Sequence, residues 1–177
     1  MGHDPRSGDI ERLAKRDEDA WSALHQREFP FLYRFAIGMG AEPALAEDCA
    51  SEAFIRLVAA LPRLRLESMT ALRAWLVVTC RNYLRDQFRK RGSAAVPLDS
   101  YQIAAAEVDP LTRVALSSAL ASLPDQQREV LVMRFVLGMP TSEVAAASGR
   151  GVKAVESLQH RALESLRRSP LLAQEKA

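Results

Sequence analysis

TSEVAAASGRGVKAVESLQHRA, residues 141–162, reads as two short helices joined by a tight turn. Ala145, Gly149 and Val155 stand four and then six residues apart. A helix-turn-helix unit needs that set: a small residue where the helices cross, a glycine for positive φ in the turn, and an apolar residue sealing the crossing. The second helix offers Arg150, Lys153, Glu156, Ser157, His160 and Arg161 at or near its polar side. Such a helix fits the major groove and can read base edges. The same pattern also suits a plain surface hairpin.

Working outward, helical periodicity fills the chain and no alternating strand pattern appears, so the fold class is all-α. Asp17 caps a helix carrying Trp21, Leu24, Phe31, Leu32 and Phe35, which stops near Gly38 and Gly40. Pro43 suits the first turn of a second helix, ending before Pro62 with Leu45, Ala53, Phe54, Leu57 and Leu61 on its apolar face. A third helix covers about 70–91, with Leu72, Trp75, Leu76, Thr79 and Tyr83 as its buried stripe. Residues 92–108, GSAAVPLDSYQIAAAEV, are small and weakly patterned, as in a linker. Asp109 and Pro110 then open a helix to Ser122, and Pro124 opens the next, closed by Gly138. The expected architecture is two small helical domains, 1–91 and 110–177, on a flexible linker at 92–109, with little obligatory contact between them.

The 177 residues carry a net charge of only +2, but the layout is uneven. From Arg63 to Arg91 eight Lys or Arg face two acids, whereas 92–110 holds three acids and no Lys or Arg. That asymmetry points to a polyanion partner for one part of the chain. Arg81, Arg85 and Arg89 recur every four residues on one helical face, with Arg73 two turns earlier and Lys90 and Arg91 at the end. Such a row matches a run of phosphates, with Asn82 beside it to bond a base. It also fits a solvated basic face. Asp48, Glu52 and Arg56 line a second ridge, either ordinary surface ion pairs or a charged docking site.

Other classes find little support. His3, His25 and His160 are scattered, and no serine elbow, phosphate loop or zinc spacing occurs. The sequence therefore calls for no catalysis, cofactor or metal. Cys49 and Cys80 suggest no disulfide scaffold and are expected reduced. The opening MGHDPRSGDIERL lacks a signal-peptide core, and no apolar run approaches the ~20 residues of a membrane span. A soluble cytoplasmic protein without membrane insertion is expected.

Three stretches carry a family resemblance. AEDCASEAFIRLVAALPRL (46–64) resembles the region 2.2 signature of bacterial sigma factors of the extracytoplasmic-function type, with Ala46, Glu47, Asp48, Glu52, Phe54 and Arg56 matching. Ser51 replaces the usual Gln and Val58 the usual Trp. LRAWLVVTCRNYLRDQFRKR (72–91) is similar to regions 2.3 and 2.4, and LPDQQREVLVMRFVLGMPTSEVA (123–145) to region 4.1 running into 4.2.

The resemblance implies a sigma subunit with domains σ2 and σ4. Asp48, Ser51, Glu52 and Arg56 would dock on core RNA polymerase, whose β and β′ subunits are the implied partners. Glu67, Ser68, Arg81, Asn82, Arg85, Arg89 and Arg91 would engage the −10 element of promoter DNA. Arg150, Lys153, Glu156, Ser157, His160 and Arg161 would read the −35 element. Glu156 and Leu158 depart from the basic residues common in that helix. An anti-sigma factor is a further implied partner. The competing reading is a stand-alone helix-turn-helix regulator with an N-terminal sensor module, which would need neither the 46–64 ridge nor the 72–91 basic helix.

Overall fold

The computed structural model describes residues 7–91 and 118–168, all of whose regular structure is helical. Helix α1 (Ser7–Ala14) turns back at Arg16, whose φ is 59°, into α2 (Glu18–Gly38). Asp17 caps α2 as its position predicts, its carboxylate accepting from the Ala20 amide at 2.9 Å. Arg12 grips the same carboxylate at 3.1 Å. The backbone bond and the guanidinium together hold the Asp17 carboxyl below its ordinary range. Trp21 donates its indole N–H to the Leu13 carbonyl at 3.1 Å, which lays α1 on α2.

Helix α3 (Pro43–Ala60) opens on proline, where a missing amide costs nothing. Helix α4 (Met69–Arg91) starts at Ser68, whose hydroxyl accepts from the Ala71 amide at 3.1 Å. These helices bury Phe31, Leu32, Phe35, Leu45, Leu57 and Leu76 between them. The buried line of α4 is Leu72, Leu76, Val77, Thr79, Cys80 and Leu84, while Trp75 and Tyr83 are half-buried. Leu72, Leu76 and Thr79 of the expected stripe are buried, and the buried side widens to Val77, Cys80 and Leu84 because α4 is covered on more than one side.

A helical turn at 118–121 precedes α5 (Asp125–Leu131). The expected single helix to Leu137 instead changes to a π-helical turn, Val132–Val136, closed by Gly138 with φ 66°. Helices α6 (Thr141–Ser148) and α7 (Val152–Arg167) follow. Gly149 sits between them at φ 67°, and Ala145 and Val155 are buried at the crossing. All three residues of the helix-turn-helix set do what their types predict. The expected linker, and most of the helix expected before Ser122, lie outside the described residues.

Two expectations are corrected. The two halves are not nearly independent within this structure. Leu120, Leu123, Leu131 and Ala162 form a small cluster of their own, but Val130, Val132, Met133, Val144 and Ala147 join the buried cluster of α2, α3 and α4. Helix α6 packs on α4 and the π-turn packs on α2. The cysteines are the second case. Cys49 and Cys80 are joined as a disulfide, both fully buried, because α3 and α4 bring their Cα atoms to 5.4 Å across 31 residues of sequence.

One buried carboxylate fixes α2 against α4. Glu28 is 2% exposed and receives Nε and Nη2 of Arg73 at 2.8 Å each, and Nε of Arg27 at 2.7 Å. The Arg73 guanidinium also lies 4.6 Å over the Phe31 ring. Burial pushes the Glu28 carboxyl up, but the hydrogen bonds and charges of Arg73 and Arg27 outweigh it and hold the group below its ordinary value. A lowered carboxyl stabilises the fold above its unfolded pKa, and the contribution is lost as pH falls through the folded value.

Glu28→Gln should therefore cost about 1–3 kcal/mol at neutral pH, since it removes the charge and turns one of the two accepting oxygens into a donor facing an arginine N–H. The gap between wild type and variant should close as pH drops below the carboxylate range near about 4. Thermal unfolding across pH checks both. A gap that is independent of pH would contradict the assignment. Gly149→Ala is the local counterpart: nothing lies within 4 Å of the new Cβ, so the left-handed backbone alone should cost about 1–2 kcal/mol by chemical denaturation.

Candidate functional site

Three surfaces emerge from this packing. The first is the outer side of α3. Burying Leu45, Cys49, Ala53 and Leu57 turns Asp48, Ser51, Ile55 and Arg56 outward, with Glu52 partly covered. Glu52 accepts from Arg56 Nε at 2.7 Å, one helical turn apart. The expected ridge therefore exists as a surface. It is also flanked by apolar groups that charge spacing did not single out: Ile55 is 64% exposed and Val58 52%. Val58 continues into an apolar cleft with Leu13, Trp21, Leu61 and Pro62. The signal was present in the sequence, since Ile55 and Val58 fall between the buried positions of α3.

The second surface is α4 with the segment before it. The expected row of arginines is split by its partners. Arg85, Arg89 and Asn82 are exposed, and Arg89 pairs with Asp86 at 3.0 Å. Glu67 is exposed and Ser68 is partly used as the α4 cap. Arg91 closes the helix, and its side chain lies outside the described residues. Arg73 is bound to Glu28. Arg81 is 15% exposed and donates from Nη1 to Glu129 at 2.9 Å and to the Ala147 carbonyl at 3.4 Å. Sequence spacing placed four guanidiniums on one line, but two of them are taken by carboxylates 45 and 48 residues away. Nothing local in the sequence marks Glu28 or Glu129 as those partners.

The third surface is α7. Val155, Leu158 and Ala162 face inward, and Lys153, Glu156, Ser157, His160 and Arg161 are exposed on the remaining side. Arg161 Nε donates to the Ser157 carbonyl at 3.3 Å. Arg150 is half-buried, with Nη1 on the Ser148 carbonyl at 3.3 Å. Arg134 braces the unit from the π-turn, donating to Gln159 of α7 at 3.2 Å and to the Met139 carbonyl. The arrangement presents a rigid helix whose outer side carries donors, an acceptor and a titratable ring. Those groups match the chemistry of base edges and phosphates. Among the described residues no cluster of His, Cys, Asp and Glu is arranged to hold a metal, and no helix is long and apolar enough to cross a membrane.

Comparison with known proteins places these surfaces in a family. The model for sigma-70 region 2 matches residues 24–94, which run from α2 through α4. The model for sigma-70 region 4 matches residues 113–166, which take in α5, α6 and most of α7. BldN of Streptomyces coelicolor, an extracytoplasmic-function RNA polymerase sigma factor, is 29% identical over 90% of this chain. The chain spans 63% of the length of BldN. ShbA of Streptomyces griseus, another such sigma factor, is 33% identical over 89% of this chain and 91% of its own. The sigma factor RpoE of Bartonella quintana, solved with the anti-sigma factor NepR, superposes with a TM-score of 0.68 at 25% identity, covering 86% of this chain and 96% of RpoE. With one model matched on α2 to α4 and the other on the helix-turn-helix, the chain belongs to the extracytoplasmic-function sigma factors of the sigma-70 family.

Proposed function

We propose that the chain is a promoter-specificity subunit of bacterial RNA polymerase, acting in the cytoplasm by binding and carrying no catalysis of its own. Residues 1–91 act as σ2, 110–177 as σ4, and 92–109 as the linker. The exposed α3 ridge docks on core polymerase, engaging the β and β′ subunits together with σ4. The open end of α4, with Asn82, Arg85 and Arg89, and the segment with Glu67 and Ser68 engage the −10 element. The outer side of α7 reads the −35 element. An anti-sigma factor is the proposed inhibitor, as NepR is the partner solved with RpoE.

The observation that carries the reading is the order of the two family matches, one over the ridge and basic helix and the other over the reading helix. A stand-alone regulator with a sensor module would need only the second. Run-off transcription with purified core polymerase tests the proposal. Added protein should confer initiation at a subset of promoters, and core that stays promoter-blind would refute it.

Two variants locate the parts. Glu52→Lys should weaken assembly with core by ~1–3 kcal/mol while leaving helical content unchanged, since the group sits on the surface. Unaltered core affinity at moderate salt would remove the ridge from the mechanism. Replacing Arg85 and Arg89 with Ala should lower promoter affinity of the holoenzyme and reduce its salt slope by about one per lost phosphate contact. A fall in core affinity with no change in salt slope would make the basic end of α4 a protein interface.

A further inference from the structure

Four large apolar side chains stand exposed among the described residues: Ile55, Val58, Phe135 and Val152. Ile55 and Val58 lie on the α3 surface already described, and Phe135 on the π-turn. Val152 is the first residue of α7 and is 44% exposed. It packs on neither buried cluster, whereas Leu163 and Leu166 of the same helix do. An exposed valine adds nothing to solubility, and its β-branching lowers helix propensity. The fold thus gives no reason for an apolar side chain at this place. Polarity singled out Lys153, Glu156, Ser157 and His160 as readers, and Val152 escaped that search only because it is apolar.

The setting of Val152 decides what it can touch. Cα–Cβ bonds in a helix lean toward its N-terminus, so the first side chain projects over the tip. Gly149 and Gly151 precede it, and nothing lies within 4 Å of a Cβ built on either. Gly149 needs its left-handed backbone, but Gly151, at φ −73°, lies in a region open to any residue. Arg150, between the two glycines, turns back to the Ser148 carbonyl. No side chain bonds the first turn of α7 as a cap. The tip is therefore bare apart from Val152, with Lys153 beside it and Glu156 one turn on, both exposed.

We propose that Val152 reads a thymine methyl group in the −35 duplex and so determines specificity beside the polar readers of α7. The inference rests on the reading of α7 as the −35 helix. A recognition helix meets base edges with its N-terminal residues, where Val152 stands. In the major groove the C5 methyl of thymine is the apolar mark of an A·T pair. A stiff β-branched side chain loses little freedom when it packs on such a group. Lys153 and Arg161 offer charge to phosphate, and Glu156, Ser157 and His160 offer hydrogen bonds. Val152 offers neither, so its contribution depends on sequence and not on salt.

The test uses holoenzyme assembled from the full chain and purified core polymerase, with a promoter duplex whose −35 sequence is first selected from a randomised library. Each thymine of the selected element, on either strand, is then replaced by uracil, which removes the methyl and keeps every hydrogen-bonding group. At one position the wild type should lose affinity by about three- to fivefold, the effect of returning one buried methyl group to water. Val152→Ala should bind the thymine duplex more weakly by a similar factor and be indifferent to uracil at that position. Its salt slope should match that of the wild type, because no phosphate contact is lost. Uracil without effect at every position, or a selected element with no A·T pair, would overturn the proposal. So would an equal uracil penalty in wild type and Val152→Ala, which would set the methyl against another group. Unchanged promoter affinity of Val152→Ala with weakened binding to core would overturn it in favour of a protein contact. A holoenzyme that selects no −35 sequence refutes the sigma reading itself, whereas selection without a methyl effect refutes only the role of Val152.

Discussion

A carboxylate buried to 2% exposure, Glu129, meets its arginine across the junction of the two halves, and the arrangement of the molecule depends on that meeting. An isolated charge at that depth is too costly to persist, so Glu129 must have Arg81, and α5 must lie against α4. The rest follows in space. Val132 settles on Gly38, α6 packs on α4, and α7 is left facing solvent. Apolar burial supplies the attraction, while the ion pair sets the register. Such a pair contributes little net stability against full hydration, so its part is to fix the register of the halves.

Helix α4 therefore has two kinds of arginine. Arg73 and Arg81 are occupied by the protein itself, whereas Arg85 and Arg89 are open. Arg73 is bound within the N-terminal half, to Glu28, and belongs to its framework. Arg81 is bound across the halves and becomes free only if they separate. A single row in the sequence resolves into a structural contact, a conditional contact and an open basic end. The disulfide of Cys49 and Cys80 lies on the buried side of the same helix and ties it to α3.

What the sequence made legible was local. Asp17 as a cap, Pro43 in a first turn, Gly149 at a left-handed turn, and the inward and outward sides of α3 and α7 all depend on neighbours within one or two helical turns. Long-range partners left no such mark. Glu28 and Glu129 look like surface acids in an amphipathic pattern until the fold buries them. The widened stripe of α4 has the same cause: a helix packed from several directions does not show one apolar face. The π-turn at Val132–Val136 carries no glycine or proline that would announce it. The motif resemblance reached further than periodicity did, because a motif records positions whose partners need not be near in the chain.

The central claim is that the proposed docking, −10 and −35 surfaces of one chain are held in a single packed arrangement by the junction of its two halves. The most direct measurement is the distance between probes placed by non-canonical amino acids at Ala44 on α3 and Glu164 on α7, followed by fluorescence transfer. The account predicts a single short distance in the free protein, as the packing of α6 on α4 and of Val132 on Gly38 requires. A long or broadly distributed distance in the free protein would contradict it.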